Sequence, residues 1–262
     1  MTLTDWSDKI AIVTGASSGI GRLLAERLAA KGARVALVAR RLDLLAEISA
    51  AIERTGGQTL PVACDVARRD DVFAAAERVR AHFGRIDVLI NNAGYGRHAR
   101  FADWDLDDIE RMMQVNYLGS VYWTKAVLPH LVAARRGWIV FMASVAGRIG
   151  VPDESAYVAS KFAMVGLAEA LSSEVEDAGV HVLTVCPGAI DTPFFDAESL
   201  ARMPQVAKRS MIGPERVVDA TLDALARGRH QVTVPRSIAA GYVVRAIAPE
   251  FMRKQVKKTT IG

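Results

Sequence analysis

Tyr157 and Lys161 stand four residues apart in SAYVASKFAMVGLAEAL, where the spacing of Ala, Met and Leu predicts a helix. On a helix that interval sets a phenol and an ammonium on one face. A free phenol has a pKa of ~10, so ionising it near neutrality needs a shift of ~3 units, or ~4 kcal/mol. A neighbouring ammonium supplies only ~1–3 units. Acting as an acid toward a ketone asks less, because the phenol starts protonated. The same pair also occurs on plain exposed helices, so its surroundings must decide. Ser144 follows the apolar run WIVFMA, thirteen residues before Tyr157, where a strand end would aim a hydroxyl into a ligand crevice.

A second group of residues suits phosphate. Thr14-Gly15-Ala16-Ser17-Ser18-Gly19-Ile20-Gly21 follows a short apolar run and opens an amphipathic stretch. Gly15 permits a tight exit turn, Gly19 lets backbone approach a ligand, and Gly21 lets the helix pack near the strand. The helix start then offers unpaired N–H groups and the positive end of a dipole to an anion. The next apolar run ends Ala39-Arg40-Arg41. A carboxylate there would bind ribose hydroxyls and repel a 2′-phosphate. Two guanidiniums instead suit that phosphate. One charge-assisted bond of roughly 1.5–3 kcal/mol implies about tenfold or greater preference for NADP over NAD. The plainer alternative is that both arginines merely begin a solvated helix.

Regular alternation must position these groups. Lys9–Thr14, Ala33–Ala39, Thr59–Cys64, Ile86–Ile90, Trp138–Ala143, Val180–Val185 and Gln231–Val234 are short apolar runs rich in Val, Ile or Leu. Runs this continuous predict strands covered on both faces. Helical spacing fills the intervals, as in Ile20, Leu23, Leu24 and Leu28 or Val72, Ala75, Ala76 and Val79. Strand–helix alternation predicts right-handed crossovers and an α/β, doubly wound Rossmann-type parallel sheet in a single domain over 1–262. Ligands of such sheets bind beyond the carboxyl ends of the strands. Asn91-Asn92-Ala93-Gly94 and Pro187-Gly188, with Thr192 near, occupy those ends.

Together these motifs resemble the short-chain dehydrogenase/reductase family over about residues 8–235. TGASSGIG, NNAG, Asn116, Ser144, Tyr157-x-x-x-Lys161 and PG-x-I-x-T match in order and spacing. The resemblance implies seven strands in the order 3-2-1-4-5-6-7 and an NADP(H) cofactor, with NAD the less favoured. It implies Tyr157 as general acid/base and Ser144 as donor to the reacting oxygen. Lys161 would lower the tyrosine pKa and hold the nicotinamide ribose. Asn116, through backbone in a helix irregularity, would hold a relay water. Asp65 and Val66 would contact adenine, Asn92, Ala93 and Gly94 would border the cofactor, and Ile190 and Thr192 would touch the carboxamide. Arg40 matches the NADP-preferring pattern. A homodimer or homotetramer joined by the helices bearing Asn116 and Tyr157 is implied as well.

Composition bounds the rest. Of 262 residues 24% are charged, and nothing approaches the ~18 unbroken apolar residues of a membrane span. The opening MTLTDWSDK lacks the pattern of a secretory signal, so a cytoplasmic protein is expected. Cys64 and Cys186 are the only cysteines, which excludes a disulfide framework and predicts buried thiols. Residues 227–262 hold eight Lys or Arg and one acid, leaving 25 basic against 28 acidic groups elsewhere. A nearly neutral body argues against nucleic acid. Asp103, Asp105, Asp107 and Asp108 are expected to cap a helix instead of binding metal, and the scattered histidines do not suggest zinc.

The irregular stretch 189–213 is expected to be a substrate lid. The pocket would combine Tyr95 to Phe101, Val145 to Ser155 and that lid, with Ile149, Val151, Pro152, Phe194, Phe195 and Met203 apolar. Arg97, His98, Arg100 and Arg148 would add positive charge or form a solvated rim. A lipophilic ketone or secondary alcohol, with or without an anionic end, is the expected small-molecule substrate. A 3-oxoacyl thioester met by Arg97, Arg100 and Arg148 is the rival, and a non-catalytic NADP sensor the rival of another class. In the basic extension 236–262, Val244, Ile247, Ala248 and Phe251 can share a helical face, and Pro249 should begin a second helix. This segment is expected to pack over the pocket or a partner subunit, a weak peripheral membrane contact being the sharper alternative.

Overall fold

A computed structural model describes residues 1–195 and 197–260, with the side chain of Val206 set aside. Asp196 of the expected lid, and Ile261 and Gly262 of the extension, lie outside the described residues. Seven strands form one parallel sheet: β1 (Ile10–Thr14), β2 (Arg34–Ala39), β3 (Gln58–Ala63), β4 (Val88–Asn91), β5 (Gly137–Met142), β6 (Val180–Pro187) and β7 (Gln231–Val234). Their order is 3-2-1-4-5-6-7, as the family resemblance implies. Every residue of β1, β4, β5 and β6 is buried, which is why these strands read as unbroken apolar runs. β3 lies at the edge, is only partly buried, and carries Pro61, a residue that edge strands tolerate.

Eleven helices with described bounds accompany the sheet. They are α1 (Gly19–Ala30), α2 (Leu42–Glu53), α3 (Arg69–Phe83), α4 (Leu106–Met113), α5 (Gly119–Ala133) and α6 (Ser155–Val175), followed by five more. Those are α7 (Ala197–Arg202), α8 (Gln205–Arg209), α9 (Pro214–Ala226), α10 (Ala239–Ile247) and α11 (Pro249–Thr260). Two cores result. Leu24 and Leu28 of α1, Leu45 and Ile48 of α2, and Val217 and Val218 of α9 cover one face of the sheet. Val72 and Val79 of α3, Trp123 and Val127 of α5, and Met164 and Val165 of α6 cover the other. The seven predicted strands match the observed ones within two residues at each end.

Two segments depart from expectation. The stretch after β6 is not irregular throughout: it folds into α7 and α8, and an Ile190–Ile212 bridge draws its two ends together. The acid cluster does less capping than its position suggests. Asp105 holds the N-cap position of α4 without a side-chain capping bond, while Asp103 and Asp108 pair with Arg100 and Arg97. Pro249 does begin a new helix, because Ala248 leaves helical geometry (φ −139°, ψ 64°).

Candidate active site

The carboxyl ends of β1, β2, β4, β5 and β6 open into a cavity of about 830 Å³. At one end the turn from β1 into α1 is fixed by hydrogen bonding to β4. The Thr14 hydroxyl donates to Ile90 O at 3.2 Å and accepts from the backbone N–H groups of Asn92 (2.9 Å) and Ala93 (3.0 Å). Asn92 Nδ2 donates back to Thr14 O at 2.9 Å. Gly15 has φ +68°, and a Cβ there would lie 2.9 Å from Ala93 Cα. A Cβ on Gly21 would press into Asn92 Nδ2 and Gly15 O. The loop therefore closes to bare backbone beside the start of α1, whose Ser18 N-cap makes no side-chain capping bond. Unpaired N–H groups at a helix start suit phosphate.

Arg40 and Arg41 are exposed at this end of the cavity. Arg41 Nη2 donates to Ser17 Oγ at 3.3 Å. Neither arginine has a carboxylate within ion-pair distance among the described residues. Asp65 is differently placed. Its Oδ2 pairs with Arg111 at 2.7 Å and its Oδ1 accepts from Ala67 N at 3.0 Å. Burial works to raise the Asp65 carboxyl, but those bonds and the Arg111 charge hold it below its ordinary value.

Halfway along, Ser144, Tyr157 and Lys161 converge. Ser144 follows β5 by two residues and accepts from Ala146 N at 3.1 Å, which fixes its hydroxyl at the cavity wall. Tyr157 lies in the first turns of α6, and Lys161 Nζ sits 5.7 Å from its ring centroid. That ammonium donates to Met142 O at 2.8 Å and is 2% exposed. Burial raises the phenol of Tyr157 above its ordinary value, with the hydrogen bond to Ser144 opposing. Burial lowers Lys161 to about 8. Without a bound partner the phenol is thus a protonated acid, not a ready base.

Nearly every residue expected at the site lines this cavity, with two departures. Gly21 lies behind the wall, because its role is helix-to-strand contact. Asn116 is fully buried in a π-helical turn, Gln114–Leu118, between α4 and α5. Its Oδ1 accepts from Tyr95 N (3.0 Å), while Nδ2 donates to Tyr95 O (2.9 Å) and Ser160 Oγ (3.0 Å). The side chain thereby ties the loop after β4 to α6 beside Tyr157.

The far end is apolar. Ile149, Val151, Phe194, Phe195 and Met203 line it as expected, joined by Met252 and Val256 of α11, whereas Pro152 faces a separate surface groove. Phe194 packs edge-on to Tyr157, with centroids 5.8 Å apart. Of the two readings of the basic residues, added positive charge or a rim, the three arginines take the second, and none of them lines the cavity. Arg97 is spent on Asp108 and the Trp104 ring, Arg100 on Asp103, and Arg148 on Glu169 and Gln231. Of the four basic candidates only His98 lines the cavity. Glu154, inside the expected 145–155 wall but not singled out by the sequence, also lines it; its place three residues before Tyr157 is the signal that marks it. Cys64 and Cys186 are buried thiols raised by burial to about 12 and about 11. Among the described residues no His, Cys, Asp and Glu cluster could hold a metal, and no helix is long and apolar enough to cross a membrane.

Of the proposed C-terminal face, Val244 and Ala248 are half-buried, while Ile247 (78% exposed) and Phe251 (55%) point outward with Val243.

Known proteins place this geometry. The chain is 36% identical over 242 residues to the putative oxidoreductase SadH of Mycobacterium tuberculosis, covering 88% of each chain. It is 33% identical to the fatty acyl-CoA reductase of Acinetobacter baylyi, covering 93% of this chain and 81% of that one. A short-chain dehydrogenase/reductase of Burkholderia phymatum, solved in complex with NAD, superposes with a TM-score of 0.88 at 28% identity, covering 95% and 96% of the two chains. A metagenomic short-chain oxidoreductase in complex with NADP gives 0.75 at 32% identity, covering 88% and 98%. The family model for short chain dehydrogenases matches residues 9–202, and the chain belongs to that family.

Proposed function

We propose that the protein is an NADP(H)-dependent oxidoreductase that interconverts a lipophilic ketone and a secondary alcohol. The observation that carries this reading is the meeting of Ser144, Tyr157 and Lys161 where the cavity wall changes from glycine loop and arginines to apolar side chains. The residues present fit a dinucleotide: bare backbone at Gly15, an uncapped start of α1, and guanidiniums at Arg40 and Arg41 without carboxylate partners among the described residues. Bound there, the nicotinamide supplies or accepts a hydride. Arg40 and Arg41 would bind the 2′-phosphate, the α1 N-terminus the pyrophosphate, and Lys161 the ribose. Asp65 and Val66 would border adenine, and Ile190 and Thr192 the carboxamide.

Ser144 and Tyr157 would donate hydrogen bonds to the substrate oxygen. Their effect grows as negative charge develops there, and donors held in place beforehand act most strongly. Tyr157 then gives up its proton. Its burial-raised pKa suits an acid in ketone reduction, the direction we assign. Lys161 offsets the phenolate charge that this leaves. Asn116 holds the surrounding loop and helix, and its π-turn is the irregularity in which a relay water would bind.

The rival substrate, a 3-oxoacyl thioester, draws support from the likeness to a fatty acyl-CoA reductase. The engagement of Arg97, Arg100 and Arg148 elsewhere weighs against it. A non-catalytic NADP sensor would have no need of the three converging groups. We further assign a cytoplasmic homodimer or homotetramer joined through the helices bearing Asn116 and Tyr157, α7–α8 as lid, and a weak membrane contact through α10–α11. The test is NADPH consumption, followed by absorbance, with hydrophobic ketones and acyl thioesters in parallel. Turnover of ketones supports the reading; turnover of thioesters alone, or of neither, overturns it.

A further inference from the structure

Among the described apolar side chains at the far end of the cavity stands the carboxyl group of Glu154. Glu154 is 8% exposed, and what surface its side chain keeps opens into the cavity beside Tyr157. One carboxyl oxygen lies 3.1 Å from His98 Nε2. Its partner oxygen has no hydrogen bond within the described residues. A carboxylate can accept about four hydrogen bonds, so this oxygen keeps accepting capacity toward the cavity. The group is not there to cap α6: Glu154 occupies the N-cap position but makes no side-chain capping bond. It is held in place from two sides, because Ala99 N donates to Asp153 O at 2.8 Å and His98 stacks against Phe195 of the lid at 4.9 Å.

We propose that Glu154 is a specificity-determining residue that receives a second hydroxyl of the substrate, so that the preferred ketone is lipophilic but hydroxylated away from its reacting carbon. This rests on the oxidoreductase reading above. The distance follows from the helix: residues three apart have Cβ atoms about 5–6 Å from each other, so the hydroxyl belongs a few carbons from the carbonyl held by Tyr157. A hydroxyl fits better than an ammonium. Burial, with the charge of Asp153 adding to it, raises Glu154 to about 7, so both protonation states are present near neutrality. A hydroxyl can donate to the ionised form and accept from the protonated one, whereas a cation matches only the first. An anionic substrate end would meet this carboxyl instead of the arginines expected from the sequence.

The test compares decan-2-one with the same ketone hydroxylated at successive carbons. Affinities are measured by calorimetry on the NADPH-loaded Tyr157→Phe protein, and kcat/KM on the unaltered enzyme. One hydroxylated isomer should bind about tenfold or more tightly than decan-2-one, the ratio expected of a hydrogen bond to a charged group. Adding Glu154→Leu should bring that ratio to about one. Glu154→Gln, which keeps volume and one acceptor, should lower it severalfold and serves if the leucine variant does not fold. A ratio near one in the starting protein, a ratio unmoved by either substitution, or binding of neither ketone would overturn the proposal. A preserved, Glu154-dependent binding ratio without any turnover would leave it standing and remove the oxidoreductase reading instead.

Discussion

The two ends of the crevice are built by different rules. At the glycine-loop end most groups hang from a strand terminus or the turn after it, locked by short bonds such as those joining Thr14, Asn92 and Ala93. At the apolar end the wall comes from the segment 145–154, from Phe194, Phe195 and Met203 of the lid, and from the C-terminal helix α11. The sheet dictates the first end, and packing between distant segments dictates the second. A site that binds one fixed cofactor and a variable substrate can change the second without disturbing the first.

The largest effect that would sharpen this contrast lies at the junction of the two ends. Lys161→Met should lower ketone kcat/KM by about 10²-fold or more, the scale of assisted proton transfer, in a steady-state NADPH assay. The same variant should be more stable below pH 8. Lys161 has a folded pKa of about 8 against an ordinary value of 10.5, so the unfolded chain binds more protons between those limits and stability rises with pH there. The cost of burying the ammonium, on the order of 3 kcal/mol, is therefore full below about pH 8 and fades toward 10.5. Urea midpoints of both proteins across that range check the sign: only the unaltered protein should gain.

At the glycine-loop end, Arg40→Ala should raise the Kd for NADPH by about tenfold or more and leave that for NADH little changed, as fluorescence titration would show. Equal losses for both cofactors would mean that Arg40 does not meet the 2′-phosphate. Gly21→Ala should destabilise the fold by about 1–3 kcal/mol, since its methyl group has only Asn92 and backbone to displace. For a chain of this size that is a fall in Tm of about 2–4 °C for each kcal/mol, readable by calorimetry. At the other end, Arg100→Ala and Arg148→Ala should change acyl-thioester kcat/KM less than about twofold, because neither side chain lines the cavity. A tenfold loss would restore the thioester reading. The smallest effect is expected at the surface, where Ile247→Asp with Phe251→Asp should reduce sedimentation with anionic liposomes. No difference from the unaltered protein would remove the membrane contact.

Legibility in the sequence follows the same division. Strand ends could be read because buried parallel strands leave continuous apolar runs, and the residues just after them face the crevice by geometry alone. Gly15, Arg40 and Ser144 are legible in that way, and Tyr157 by its four-residue spacing from Lys161 on one helix. The substrate wall could not be read, since its character depends on pairings between separate segments. Arg97 with Asp108 and Arg148 with Glu169 take away the positive charge that composition suggested. The Glu154–His98 pair spans two segments that only the fold brings together. α7 and α8 are too short to show helical periodicity.

The central claim, that a buried phenol delivers the proton beside a bound nicotinamide, is tested most directly by Tyr157→Phe in one NADPH titration and one turnover assay. The account requires a Kd within about twofold of the unaltered protein and a ketone kcat/KM lower by about 10²–10⁴-fold. Undiminished turnover in that variant would contradict it.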